Sequence, residues 1–196
     1  MDIRLHKAAE ADDVAAVQQL LVTGADIEAR DASGATALLV ATRGNRVKAA
    51  QALIEAGADV NARDDIQDST YLYAGARGYL EILQLALAHG ADLGSVNRYG
   101  GTALIPASER GHVEAVETLI KAGVAVDHIN RLGWTALLEA IILSDGGPRH
   151  VRIVELLITA GANVNIADRE GVTPLQHARG RDYDKIAALL EKAGAK

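Results

Sequence analysis

A glycine that recurs with a fixed period limits the folds open to this 196-residue chain more than any other feature. The glycine follows a similar apolar run each time, and successive copies are 33, 33, 33, 38 and 33 residues apart. In five of the six copies the next residue is alanine. The six positions are Gly24, Gly57, Gly90, Gly123, Gly161 and Gly194. A chain with such a period folds as a row of similar units that bury their apolar faces against one another.

Two helices are predicted in each unit. Apolar residues before each glycine recur at spacings of three and four, which indicates an amphipathic helix, and a glycine suits the left-handed position that ends it. A second helix begins at a hydroxyl residue that can serve as its N-cap, after a segment rich in Asp, Asn and Gly that predicts tight turns. Thr173 is the clearest cap, because Pro174 suits the first helical position and Gln176 can close a capping box. The predicted N-caps are Thr36, Ser69, Thr102, Thr135 and Thr173.

These features resemble the ankyrin repeat, which has a 33-residue period and a Thr-Pro-Leu-His signature. The resemblance covers essentially the whole chain as about six units, and it is to small bacterial-type members of the family. It implies an all-α fold, an ankyrin-repeat α-solenoid of stacked antiparallel helix pairs with projecting β-turn fingers. The inner helices and the fingers would line a concave face. We expect a single domain over residues 1–196, with repeats at approximately 1–31, 32–64, 65–97, 98–130, 131–168 and 169–196, the first and last acting as caps.

The sequence departs from the family pattern at several places. Only Thr173-Pro174-Leu175 keeps the family tripeptide, and Gln67 stands where a turn glycine is usual. The fifth repeat has five extra residues, Ser144–Pro148, which we expect between its two helices. A tolerated loop is the simpler interpretation of this insertion, and an extra contact at one edge of the concave face is the alternative.

Composition excludes several classes of protein. The chain has 26 acidic and 20 basic residues, a net charge of −6, which argues against a general binder of duplex DNA. It has no cysteine, so disulfides, thiolate zinc sites and cysteine nucleophiles are excluded. It also has no phenylalanine, so the core must be built from Ala, Leu, Ile and Val, and its elements must lie close together.

The sequence favours a protein that does not contact membranes. No segment reaches the ~20 apolar residues that a membrane-spanning helix needs. The first seven residues contain no apolar stretch of the kind found in a signal peptide. We therefore expect a protein of the cytoplasm, or a periplasmic or secreted protein if a leader has been removed. Capping repeats at both ends of the array separately predict a monomer.

No catalytic motif stands out. The sequence lacks the nucleophile-elbow, zinc-protease, phosphate-loop and dinucleotide-binding patterns. His112 and His150 occupy the same place in successive units, which favours a structural role over metal binding. We expect no catalytic residue, no metal, no cofactor and no enzymatic activity, because an enzyme would need a converging acid–base pair.

Residues that the repeat does not need for packing are the candidates for binding. When the units are superposed, arginines form one column before the outer helices and a second column in the fingers, and aromatic residues lie nearby. Trp, Tyr and Arg are the residues that most often dominate protein interfaces. The predicted partner-binding residues are Arg43, Tyr73, Arg77, Arg98, Tyr99, Arg110, Arg131, Leu132, Trp134, Ile142 and Arg169.

These residues predict a non-enzymatic module that binds a partner protein. The partner is expected to have an acidic surface, because guanidinium groups bind carboxylates in a bidentate manner. Binding of an anionic ligand, such as RNA or a phosphorylated molecule, is the alternative. For any single arginine, an ordinary solvated position in the family is the plainer interpretation. For Trp134, packing against a neighbouring finger is equally open.

Overall fold

The computed structural model describes residues 3–196, and these contain twelve α-helices arranged as six consecutive pairs. We call the first helix of each pair inner and the second outer. The inner helices are α1 (Arg4–Glu10), α3 (Ala37–Arg43), α5 (Thr70–Arg77), α7 (Leu104–Glu109), α9 (Ala136–Ile142) and α11 (Pro174–Arg179). The outer helices are α2 (Val14–Val22), α4 (Val47–Glu55), α6 (Leu80–Ala88), α8 (Val113–Ala122), α10 (Pro148–Thr159) and α12 (Asp184–Lys192). The predicted all-α fold of helix pairs is confirmed, and the only β pairing in residues 3–196 is one isolated bridge.

Short-range interactions define the ends of the helices as the sequence predicts. The hydroxyls of Thr36, Thr135 and Thr173 each accept a hydrogen bond from the backbone N–H three residues later. Thr173 and Gln176 form the predicted capping box. The six repeat glycines all lie in the left-handed region, with φ between +85° and +95°. An L-residue with a side chain adopts this region at a cost, which explains why glycine recurs there.

The prediction that Thr102 caps α7 is wrong. Its hydroxyl oxygen is buried and has no hydrogen-bond partner. In the other repeats the residue four positions after the cap donates its N–H to the carbonyl of the cap, as Glu139 does to Thr135. Pro106 occupies that position in α7 and has no N–H to donate. The N–H of Ile105 bonds to the Thr102 carbonyl instead, at 3.2 Å, and so does not reach the hydroxyl.

The chain divides into two compact units. Unit 1 comprises the described residues up to Ala74 together with Tyr79–Asp92, and unit 2 comprises Gly75–Gly78 together with Leu93–Lys196. Within each unit, inner helices pack on inner helices and outer helices on outer helices. The largest fully buried aliphatic side chains are Leu38, Leu39, Leu53, Ile82 and Leu83 in unit 1, and Leu104, Leu119, Leu137, Leu138, Ile141 and Ile153 in unit 2. A core of this composition allows the backbones of neighbouring repeats to approach closely. A Cβ atom added to Gly75 would lie only 2.8 Å from the Cβ atom of Ala103.

Five projecting segments join each outer helix to the next inner helix. We call residues 24–35, 57–68, 90–101, 123–134 and 161–172 fingers 1 to 5. Their tip residues are Ser33, Ile66, Tyr99, Leu132 and Glu170. In finger 2, Gln67 adopts φ +68°, while the glycines at the same place in the other fingers have φ between +76° and +86°. The turn therefore keeps its shape although the residue is not glycine.

The five-residue insertion is an ordered part of unit 2. It lies between α9 and α10 as predicted, except that Pro148 is the first residue of α10. Gly146 adopts φ +64° and packs so closely on the ring of Tyr183 that a Cβ atom would lie 2.5 Å from it. The Tyr183 hydroxyl donates a 2.6 Å hydrogen bond to the Ser144 carbonyl. The insertion is thus held against the last helix pair.

Candidate functional site

An Asp or Asn in each finger determines how its tip is presented. One side-chain oxygen of this residue accepts hydrogen bonds from the backbone N–H groups two and four positions later. In finger 4, for example, Asn130 Oδ1 accepts from Leu132 at 2.9 Å and from Trp134 at 3.0 Å. The residues with this role are Asp31, Asp64, Asn97, Asn130 and Asp168. Because the interaction is local, each finger is shaped by its own sequence.

The second polar atom of this residue contacts an inner helix in three fingers. Asn130 Nδ2 donates to Glu139 Oε1 at 2.7 Å, and His177 Nε2 donates to Asp168 Oδ2 at 2.6 Å. In unit 1, Asp64 forms a salt bridge with Arg43, and the Asp64 carboxylate is almost fully buried. The predicted site residue Arg43 therefore has its positive charge neutralised within the protein.

The finger arginines of unit 2 bind carbonyl groups of the preceding finger. Arg131 Nη1 donates to the Arg98 carbonyl at 3.0 Å, and Arg169 donates to the Arg131 carbonyl. The backbone N–H of Arg131 also donates to the Tyr99 carbonyl at 2.9 Å. Because a carbonyl has no net charge, these side chains retain their positive charge, and both are exposed.

The arginines that follow the inner helices act in the same way. Arg110 Nη1 donates to the Ala76 carbonyl at 2.7 Å, and Arg181 donates to the Ile142 carbonyl at 3.4 Å. Cations favour the carbonyl end of a helix, so these contacts also suit the helix dipole. Arg77, the last residue of α5, lies exposed at the equivalent position of its repeat. This bracing role was not predicted from the sequence, although the regular spacing of the arginines from repeat to repeat is a signal for it.

Two exposed apolar tips lie beside the finger arginines. Tyr99 is 56% exposed and Leu132 is 50% exposed. The guanidinium carbon of Arg98 lies 5.1 Å from the centre of the Tyr99 ring, which is within the range of a cation–π interaction. Trp134 and Ile142 are half-buried. The structure thus places aromatic, aliphatic and cationic side chains on neighbouring fingers of one unit.

Nine of the eleven predicted site residues belong to unit 2, and Arg43 and Tyr73 belong to unit 1. The Tyr73 ring packs against that of Tyr79 with a centroid distance of 6.3 Å. A cleft of about 540 Å³ in unit 1 includes Arg43 and has both cations and carboxylates among its lining residues. The remaining residues that line it are Ile3, His6, Lys7, Glu10, Asp31, Val40, Gly44 and Arg46. This mixture of charges does not favour an anion over a cation.

Glu139 is a buried carboxyl group that the sequence analysis did not single out. It is only 5% exposed. Burial, followed by the negative charge of Glu109, raises the pKa of Glu139 to about 7, against an ordinary value of 4.5. The hydrogen bond from Asn130 and the charge of Arg110 act in the opposite direction.

His112 and His150, which occupy the same place in successive repeats, both contact other parts of the protein. His150 Nε2 lies 2.9 Å from the Glu109 carbonyl, and the His112 ring packs under Gly78. Burial, and then the charge of Arg110, lower the pKa of His112. Residues 3–196 contain no group of three or more His, Cys, Asp or Glu side chains that could hold a metal ion. None of the helices described in this range is long and apolar enough to cross a membrane.

Comparison with known families agrees with this architecture. The family model described as ankyrin repeats (3 copies) matches residues 4–64 and 71–168, which is most of the chain. The chain belongs to the ankyrin repeat family. No curated protein sequence matches it.

Three solved structures illustrate how closely this ankyrin repeat protein follows the family fold. An ankyrin repeat domain from Acinetobacter baumannii AYE is 63% identical, with a TM-score of 0.97 and coverage of 99% of each chain. The ankyrin repeat protein EF0377 is 40% identical, with a TM-score of 0.93 and coverage of 97% of each chain. The ankyrin repeat domain of Bcl-3, of the IkappaB family, is 25% identical, with a TM-score of 0.88 and coverage of 100% of this chain and 87% of that one. The predicted family and fold class are therefore confirmed, and ankyrin repeats are a general protein-interaction fold.

Proposed function

We propose that this ankyrin repeat protein is a non-enzymatic module that binds a partner protein through the surface formed by the fingers and inner helices of unit 2. One observation carries the proposal: Arg110, Arg131 and Arg169 bind backbone carbonyls rather than carboxylates, so their charges remain available. The whole chain has a net charge of −6, which makes these exposed cations distinctive. A partner with an acidic surface would be attracted to them.

The proposed contacts combine charge with apolar surface. Tyr99, Leu132 and Trp134 provide the aromatic and aliphatic anchors that interfaces usually need at their centre. The proposed contact residues of unit 2 are Arg77, Arg98, Tyr99, Arg110, Arg131, Leu132, Trp134, Ile142 and Arg169. Arg43 and Tyr73 are proposed as separate contacts of unit 1. We further propose that the module acts as a monomer in the cytoplasm.

The proposal can be tested with charge-removing variants that keep a hydrogen-bond donor. Arg110→Gln and Arg131→Gln together should abolish capture of the partner from lysate, because glutamine remains polar but carries no charge to attract an acidic surface. The melting temperature should not change. Arg152→Gln with Arg179→Gln is the matched control, since both arginines already pair with glutamates. Capture that survives the first pair of substitutions would refute the proposed surface.

The single tryptophan offers an independent measurement. If Trp134 lies at the interface, its fluorescence should change when the identified partner is added, and the partner should protect it from a soluble quencher. An unchanged emission spectrum and unchanged quenching at saturating partner would remove Trp134 from the site.

Binding of an anionic ligand is the second candidate, and the same carbonyl-bound arginines favour it. The two functions differ in their response to salt. Affinity for RNA should fall steeply as salt rises, because binding releases counterions. An interface centred on Tyr99 and Leu132 should keep much of its affinity, because burial of apolar surface is far less sensitive to salt.

A further inference from the structure

Three arginines form a ladder on unit 2, one on each of fingers 3, 4 and 5. Arg98, Arg131 and Arg169 occupy the same place in successive repeats, once the five-residue insertion is counted. Each later arginine is bonded to the carbonyl of the one before it. The three arginines are therefore linked from finger to finger, and their backbone positions are one repeat apart.

The spacing of the ladder matches one regular peptide conformation. Packed helices lie about 8–10 Å apart, so equivalent residues on neighbouring fingers are separated by about the same distance. A polyproline II helix has three residues per turn and rises about 9 Å per turn. Residues i, i+3 and i+6 of such a segment lie on one side of it, and their spacing is close to that of the ladder arginines. A β-strand would place every third residue on alternate sides.

Exposed apolar side chains lie beside two of the three ladder arginines. Tyr99 and Leu132 are the exposed tips of fingers 3 and 4, beside Arg98 and Arg131. Aromatic surfaces are a common docking site for polyproline II segments. Glu170 occupies the third tip and is exposed, so the apolar row ends at Leu132 and a polar or basic residue of the partner fits opposite finger 5.

We propose that fingers 3 to 5 of unit 2 bind an extended, proline-containing segment of a partner protein in which an acidic residue recurs at every third position. The acidic residues pair with Arg98, Arg131 and Arg169, and the residues between them contact Tyr99 and Leu132. The inference rests on the proposed protein-binding function and names the chemistry of the partner. It follows from charge complementarity and from the match between the two spacings.

Synthetic peptides of one composition and different register test this directly. The first is a proline-containing peptide of about 12 residues with glutamate at every third position, and the second has the same residues with the glutamates adjacent to one another. We expect the full chain to bind the first peptide about tenfold more tightly in calorimetry, because only that peptide presents a carboxylate to each of the three arginines. Equal affinities would overturn the proposal, since simple charge attraction would then account for binding.

Substitutions in the protein give the second arm of the experiment. Arg131→Gln with Arg169→Gln should weaken binding of the first peptide by about tenfold or more while the melting temperature holds. Arg152→Gln with Arg179→Gln removes the same charge elsewhere and should leave the affinity unchanged. An equal loss in both double variants would overturn the proposal.

Two further outcomes separate this inference from the proposed function. A protein partner whose capture needs Arg110 but neither Arg131 nor Arg169 would overturn the ladder and leave the protein-binding function standing. A single-stranded oligonucleotide that binds more tightly than either peptide, with a steep salt dependence, would overturn both.

Discussion

The side-chain amide of Asn130 donates a 2.7 Å hydrogen bond to the carboxyl of Glu139. The oxygen of the same amide holds the backbone of Leu132 and Trp134. Glu139 is therefore connected through one side chain to finger 4, which carries three proposed contacts, Arg131, Leu132 and Trp134. Since Glu139 is buried, its protonation state affects stability.

The stability contributed at Glu139 should fall as the pH rises. The pKa of Glu139 is raised to about 7 in the folded protein, against an ordinary value of 4.5. Between these values the folded protein holds a proton that the unfolded chain releases, so the free energy of unfolding decreases as pH rises from about 4.5 to about 7. The loss amounts to at most about 3 kcal/mol, since a tenfold change in proton affinity corresponds to about 1.4 kcal/mol.

Chemical denaturation of the wild type and Glu139→Gln at about pH 5 and about pH 8 measures this effect. Glutamine cannot ionise, so the variant should gain stability relative to the wild type at the higher pH. Glu170→Gln, at an exposed tip, is the control and should show no such change. A stability difference between wild type and Glu139→Gln that is the same at both pH values would contradict the prediction.

Thr102 and Thr135 occupy the same place in successive repeats but should respond differently to valine. Thr135 caps α9 with its hydroxyl, so Thr135→Val should cost about 1 kcal/mol. The Thr102 hydroxyl is buried without a partner, so Thr102→Val should be neutral or stabilising by about 1 kcal/mol. Equilibrium unfolding in urea compares the two. A similar loss in both variants would show that Thr102 does act as a cap.

Pro106 is the cause of this difference, which a double-mutant cycle can test. Pro106→Ala supplies an N–H that can bond to the Thr102 carbonyl and releases the N–H of Ile105 toward the hydroxyl. In that background Thr102→Val should become destabilising, with a coupling of about 1–2 kcal/mol. The absence of coupling would mean that another feature of α7 prevents capping.

Gln67→Gly should stabilise the protein. Gln67 has φ +68°, and the left-handed conformation costs a residue with a side chain about 1–2 kcal/mol. The loss of the hydrogen bond between Arg63 and the Gln67 side chain offsets part of this gain, so we expect a net increase of about 1 kcal/mol in the free energy of unfolding.

The reverse change is available at Gly90, which has φ +85° and open space where a Cβ atom would lie. Gly90→Val should therefore destabilise by about 1–2 kcal/mol through backbone strain alone. Thermal or urea unfolding of Gln67→Gly and Gly90→Val tests whether backbone strain dominates the change in stability. An increase in stability for Gly90→Val, or a decrease for Gln67→Gly, would exclude strain as the dominant effect.

Leu137→Ala should be the most damaging of these substitutions. Leu137 is 1% exposed in the core of unit 2, so truncation leaves a cavity and should cost roughly 2–5 kcal/mol. Leu143→Ala is the matched control, because Leu143 is 48% exposed and should lose less than about 0.5 kcal/mol. Denaturant unfolding measures both. Equal losses would mean that Leu137 does not lie in the packed core.

Local interactions explain why so much of the architecture is visible in the sequence. A cap such as Thr173 acts on a residue three positions away, and a helix-ending glycine such as Gly161 acts on the helix that it follows. The insertion could likewise be located, because it alters one spacing only. Even the failure of Thr102 has a local signal in Pro106, four residues later, which the sequence analysis did not use.

For the candidate site, the sequence predicted only which residues occupy equivalent positions in successive repeats, and not what their side chains contact. By itself the sequence determined the repeat, the helix pairs, the finger turns and the positions of the arginines, since these depend on neighbours along the chain. Only the tertiary structure decided which arginines keep their charge. Arg43 meets the carboxylate of Asp64, whereas Arg131 meets the carbonyl of Arg98. The Asp64 acceptor lies at the end of the same repeat, 21 residues from Arg43, and the Arg98 acceptor lies in the preceding repeat, 33 residues from Arg131. Both come within reach only when the chain folds.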